Sequence, residues 1–287
     1  MKKTKQPIVS VGMPIRNGID YIEKAMISIL NQTEKNIEII VSDNNSDDGT
    51  SYYLKNLAKN DKRIKYFHHM KKIKAFENFL YVLQKAKGKF FMWAAHDDTR
   101  SLNYIKDLKL ALEKDSKSVL AFGDLYLASS ILKKGKKTKF LFSTNNMNVF
   151  QRLRKLTFIQ VYYIYGLWKT DVIRDAPYVY CSWWPDLPLM LSVACKGSFI
   201  YVPKTSFNYL EITKTSLERV EYQDYEKSIN LIYEVFLLLK SCFISTLKSG
   251  GVLIGIYVLL LVIFKQLINL PDFIINKVRK KNKLSKI

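Results

Sequence analysis

Cysteine is scarce: the 287 residues hold three, Cys181, Cys195 and Cys242, widely spaced and odd in number. Such a set makes neither a disulfide framework nor a metal-ligand spacing, and it suits a reducing compartment. Acids are outnumbered, 25 Asp and Glu against 46 Lys and Arg, for a formal net charge of +21. That excess suits a polyanionic partner (nucleic acid, an anionic membrane or phosphorylated substrates) and suits equally a solvated Lys-rich surface. No zinc-finger spacing, RNP-like aromatic run or helix-turn-helix pattern is present, so no nucleic-acid partner is expected. An uninterrupted apolar run of membrane-crossing length is missing too: Gly250 to Phe264 falls short of the ~20 residues that span hydrocarbon. The start, MKKTKQPIVSVGMP, is basic, but its apolar stretch ends at Pro14, which is not the pattern of a signal peptide. Internal repeats and long low-complexity tracts are absent as well.

What is present is a chain 48% hydrophobic, enough for a full core and beyond the roughly 100–150 residues of a common single domain. PIVSVGMP and NIEIIVSD are short β-branched runs bounded by turn or polar residues and read as buried strands. Between them Ile22, Ala25, Met26, Ile29 and Leu30 make one helical stripe, with Asp20 and Glu23 spaced as a capping box. A second helix is expected from about Ser51 to Asn60, then a strand at RIKYF, a helix through AFENFLYVLQKAKG and a strand at KFFMWAA. This alternation predicts an α/β fold whose first ~125 residues form a parallel sheet covered by helices. Further on, KKGKKTK reads as an exposed basic loop, and a helix is expected from near Asp186, followed by a strand at SFIYV.

Open α/β sheets bind ligands at the carboxyl ends of their strands. Three polar clusters fall there: Pro14–Asn17, Asp43–Asp48 and His96–Asp98. Each alone is compatible with turn chemistry, but three on one edge point to a shared ligand.

The strand VSVGMPIRN, the helix end SILNQT, the segment IEIIVSDNNSDDGT and the strand GKFFMWAAHDD, in this order, resemble the inverting family 2 glycosyltransferases of the GT-A fold. The ending AAHDD resembles a subgroup of bacterial surface-polysaccharide transferases. The resemblance covers about Ile8 to Ser216. It implies that Asp43 hydrogen-bonds the nucleotide base, uracil, that Pro14, Arg16 and Asn17 line the nucleotide pocket, and that Asn45 lies beside the base or ribose. It also implies Asn78 near the diphosphate, Asp97 as the metal-binding aspartate of the DxD motif, and Asp98 toward the donor sugar. A hard cation, Mg²⁺ or Mn²⁺, would sit between carboxylate and phosphates. Two positions depart from the pattern: Ala95 replaces the first acid of DxD, and Ile212 stands where a later His often completes the metal site. His96 is either a phosphate contact or a structural residue beside a turn. Asp186 matches the family's general base, with a helix cap as the other reading. Trp183 and Trp184 suit stacking on an acceptor sugar, or a place in the core.

The expected organisation is a GT-A domain over 1–220, with a nucleotide-binding half of about 7–125 and an acceptor half of about 126–220. A helical, membrane-associated appendage over 221–287 follows, with the basic tail NKVRKKNKLSKI. Because a single span would export that tail against the positive-inside preference, a re-entrant or interfacial hairpin fits better, with a buried core helix as the alternative. The resulting expectation is a transferase at the cytoplasmic face of a bacterial plasma membrane, moving sugar from a UDP-linked donor to a glycan or lipid-linked acceptor. A non-catalytic nucleotide-sugar-binding scaffold is the alternative.

Overall fold

A computed structural model describes residues 6–129, 136–138, 142–159, 162–177, 186–211 and 231–266. Trp183, Trp184, Cys181, Ile212 and the basic tail lie outside the described residues. The chain divides into two compact units that interleave in sequence rather than meeting at one cut. One comprises Met1–Asn146, Tyr162–Asp175 and Gly197–Ser228; the other comprises Met147–Val161, Ala176–Lys196 and Ile229–Ile287.

The first unit is built on one sheet. Strands β1 (Val9–Ile15), β2 (Ile37–Asp43), β3 (Ile64–His68) and β4 (Phe90–Trp93) are mutually parallel in the order β3-β2-β1-β4. Both β1 and β2 are buried at every position, as parallel strands covered on both faces require. Helices α1 (Ile19–Leu30), α2 (Thr50–Asn60) and α3 (Ala75–Lys85) connect them. The alternation read from sequence is therefore present, with boundaries within three residues.

The sheet then stops being parallel, contrary to the expectation for the first 125 residues. Short β5 (Thr99–Arg100) runs antiparallel to β9 (Ser198–Glu211). After α4 (Tyr104–Lys114), β6 (Ser118–Ser129) pairs antiparallel with β8 (Leu167–Lys169) and parallel with β9. The order β3-β2-β1-β4-β8-β6-β9-β5 thus inserts late strands beside early ones, and no local pattern announces that pairing. Lys136–Lys137 form β7 against β6, where Lys137 pairs with Asp124 at 2.9 Å, so part of the basic loop is strand. A short helix α6 (Thr170–Arg174) follows β8.

The second unit is helical: α5 (Val149–Thr157), α7 (Asp186–Lys196), α8 (Leu231–Gly250) and a last helix over 252–266. Gly251, at φ +89, makes the turn between the last two, a left-handed conformation that glycine adopts without strain. Among the described residues no helix is long and apolar enough to cross a membrane.

Candidate functional site

Register brings the strand ends to one edge. Ile15 lies opposite Asp43, Asp43 opposite His68, and Gly12 opposite Trp93, while the amide of Ala94 donates to the Gly12 carbonyl at 2.9 Å. Past that edge the chain is held by side chains. Asn17, in the left-handed region at φ 50, donates from Nδ2 to Asp47 Oδ1 at 2.8 Å and accepts the Asp47 amide at 3.0 Å. The Asn17 amide donates to Ser46 Oγ. The capping box expected from Asp20 and Glu23 is not what caps α1. Its N-terminus begins after Gly18, whose amide donates to Thr50 Oγ1, and the Ile19 amide donates to Asp48 Oδ2. The cap comes from the second cluster because the two loops pack together.

The third cluster closes on the first. A Cβ on Gly18 would lie 2.3 Å from Cδ2 of His96, so the imidazole rests on the bare glycine backbone. All three polar clusters therefore meet. Pro14 is buried beside Ser42 in register, Arg16, Asn45, His96 and Asp97 are half-buried, and Asn17 is exposed. Asn45, at φ 58, occupies a second left-handed position, which asparagine tolerates.

Asp43 is fully buried. Its Oδ1 accepts the Ser46 amide at 3.0 Å and Ser46 Oγ at 2.6 Å; its Oδ2 accepts Ser51 Oγ and, at 2.8 Å, Tyr66 OH, with His68 Nδ1 at 3.4 Å. Burial raises its pKa, but the hydrogen bonds from Ser46, Ser51 and Tyr66 outweigh that and hold it below the ordinary carboxylate value. Asp43 thus favours its anionic form and already accepts hydrogen bonds on both oxygens. Asn78, on α3, donates to the Ser42 carbonyl at 3.0 Å, and its buried Oδ1 has no hydrogen-bond partner.

Asp97 and Asp98 differ sharply. Asp98 is fully buried, accepts the Leu210 amide on Oδ1 at 3.0 Å, and leaves Oδ2 without a hydrogen bond. Burial, then the charge of Asp97, push its pKa up to about 7, against the opposing pull of Arg100 and the Leu210 amide. Arg100 is the cation that sequence reasoning missed. It is 5% exposed, donates to the Trp93 carbonyl at 3.1 Å, stacks 4.9 Å from the Phe207 ring centroid, and leaves Nε and Nη1 unpartnered. An arginine two residues beyond paired acids was the available signal. Tyr66, Ser46 and Ser51 were missed because their role depends on register and loop folding.

No group of three or more His, Cys, Asp or Glu side chains suited to a metal occurs among the described residues. The Asp97–Asp98 pair fits a cation that takes most of its ligands from phosphates and water, since a divalent charge relieves their repulsion and engages the orphaned Oδ2. In the second unit, Asp186 opens α7, is half-buried, and is raised by burial to about 6.

Residues 10–167 match the family described as Glycosyl transferase family 2. A GalNAc(5)-diNAcBac-PP-undecaprenol beta-1,3-glucosyltransferase of Campylobacter jejuni is 52% identical over 61 residues, 21% of this chain and 20% of that protein. Among solved structures, S. aureus TarS 1-349 in complex with UDP superposes with a TM-score of 0.61 at 13% identity, covering 84% of this chain and 66% of that one. GalNAc-T7 with UDP, GalNAc and Mn²⁺ gives a TM-score of 0.56 at 11% identity, covering 73% and 45%. These likenesses establish the fold. The chain spans only 19% to 37% of the length of the curated relatives it matches first.

Proposed function

The chain belongs to glycosyltransferase family 2 and is a transferase enzyme, and from that premise we propose that it moves a sugar from UDP to a glycan or lipid-linked acceptor with inversion, in surface polysaccharide synthesis at the cytoplasmic face of the plasma membrane. The observation that carries the reading is the meeting of three strand-end clusters, tied by the Asn17–Asp47 bonds and by His96 on Gly18. In this reading Pro14, Arg16, Asn17 and Asn45 line the nucleoside side. Uracil's N–H reaches Asp43 Oδ2 by replacing one of its present donors. Asn78, His96 and Asp98 serve the diphosphate-sugar side.

Asp97 would hold Mg²⁺ or Mn²⁺, which when bound offsets the charge of the departing diphosphate. The acceptor hydroxyl oxygen bonds to the anomeric carbon as the bond to the diphosphate oxygen breaks. Its proton passes to Asp186, and the electron pair leaves with UDP. A base whose pKa is raised to about 6 is deprotonated at neutral pH yet closer to the working pH than an ordinary aspartate. Titration calorimetry tests the donor assignment. UDP should bind in the presence of Mg²⁺ or Mn²⁺ and weaken in Asp97→Asn, whereas GDP or TDP binding equally well would remove the uracil assignment.

A further inference from the structure

The second unit packs an apolar interior, Leu153, Leu191, Leu238, Val258 and Val262 among it, yet also buries polar groups. Within it Ser192, Ser241, Ser245, Thr246 and Lys265 are buried, Ser192 Oγ lies 2.7 Å from Ser249 Oγ, and Lys265 Nζ donates to the Thr157 carbonyl at 2.5 Å. One exposed helix face is apolar, while Arg154, Lys155, Lys240 and Lys248 are exposed elsewhere on the unit. On the helix over 252–266 the exposed residues are Val252, Leu253, Ile256, Leu260, Ile263 and Phe264. At about 100° per residue these six fall within one third of the helix circumference. No polar side chain interrupts them. Phe264 meets Phe158, itself exposed, with ring centroids 6.4 Å apart, so the patch continues onto the end of α5. A surface helix of a soluble protein carries the opposite distribution, and a contiguous apolar face of this size marks an interaction site.

Charge decides the occupant. From Val235 to Ile287 the sequence holds nine Lys and Arg and one acid, Asp272; six of those cations lie in the last twelve residues. Lys240 and Lys248 are exposed on α8. An apolar face followed by a polybasic segment is the chemistry of an anionic bilayer surface. Over the described residues 252–266 the helix runs about 22 Å at 1.5 Å per residue, and an apolar face along one side suits lying in the headgroup plane.

We propose that the Val252–Phe264 face, backed by the basic segment 277–286, docks in plane on an anionic lipid surface. The proposal deepens the membrane part of the function above and rests on it. The test is vesicle flotation of the full chain with phosphatidylcholine alone or mixed with phosphatidylglycerol. Wild type floats with the anionic vesicles, and added salt weakens it. Leu253→Gln with Ile256→Gln and Leu260→Gln, at exposed positions and with a good helix former, lowers partition on the order of tenfold or more. Arg279→Ala with Lys280→Ala and Lys281→Ala lowers it about fivefold per cation and removes the preference for phosphatidylglycerol.

UDP binding, measured on the same samples without vesicles, stays unchanged in both variants, so loss of the nucleotide reading and loss of the docking reading are told apart. Three results overturn the proposal. One is no flotation with anionic vesicles. Another is a dimer in light scattering that the triple Gln variant dissolves, which assigns the face to a second copy. The third is a clear fall in melting temperature of the Gln variant with unchanged flotation, which assigns it to cover by another segment of this chain.

Discussion

Asp43 Oδ1 and Oδ2 already hold Ser46, Ser51 and Tyr66 as donors, so truncating it does not leave the neighbouring loop intact. Hydrogen bonds to charged groups are worth about 1.5–3 kcal/mol each, and Asp43→Ala would confuse binding with folding. Asp43→Asn is better: it keeps the shape, loses the charge, and should weaken UDP binding about tenfold or more by calorimetry while lowering the melting temperature. Unchanged UDP affinity makes Asp43 a fastener of the loop alone. Asp98 predicts a pH effect. An ordinary aspartate titrates near 3.8, and burial beside Asp97 raises Asp98 to about 7 in the folded protein. Between those values the folded protein keeps a proton that the unfolded chain has released. The associated stability is therefore complete below about pH 3.8 and lost as pH rises through about 7. Melting temperature should fall across that window, and the fall should be shallower in Asp98→Asn, with a remainder from Asp186. Identical slopes in the two proteins would contradict the buried, half-satisfied state of Asp98. The acids were legible because they interrupt apolar strands. Arg100 was not, because its burial depends on Phe207 of a strand about a hundred residues later.

Elements were the most legible level. β1 and β2 follow from β-branched runs, α1 from an apolar stripe and β4 from an aromatic run, all of which the structure buries, while β3 is buried only at Ile64. Pairing was legible only where neighbours in sequence are neighbours in space. The insertion of β8, antiparallel to both β4 and β6, and of β9, parallel to β6 and antiparallel to β5, depends on long-range packing that no window of sequence contains. The cap of α1 failed for the same reason: Asp20 and Glu23 had the spacing, but Asp48 and Thr50 arrive from another loop and take the donors. The junction of β1 with α1 also carries a test. A Cβ at Gly18 would strike the His96 ring at 2.3 Å, so Gly18→Ala should displace that ring and weaken donor binding with little change in melting. In a His96→Ala background the same substitution should have little further effect on binding. Additive losses would show that Gly18 acts without His96.

For the whole molecule, the proposed reaction needs a general base, and Asp186 is the residue assigned to it. A general base acts on the acceptor in the transition state, so Asp186→Asn should lower kcat about 10²–10⁴-fold with UDP affinity unchanged. Asparagine caps a helix about as well as aspartate, so loss of a cap does not explain such a fall. Wild-type turnover should rise with pH through about 6 as Asp186 loses its proton, and a flat profile would move the base elsewhere. The most direct measurement is nucleotide release from a panel of UDP-, GDP- and TDP-sugars by the purified enzyme, with and without chelator. The account predicts UDP release from at least one UDP-sugar, suppressed by EDTA, restored by Mn²⁺ or Mg²⁺, and lost in Asp97→Asn. Release from GDP- or TDP-sugars alone, or full release in chelator with Asp97→Asn as active as wild type, would contradict it.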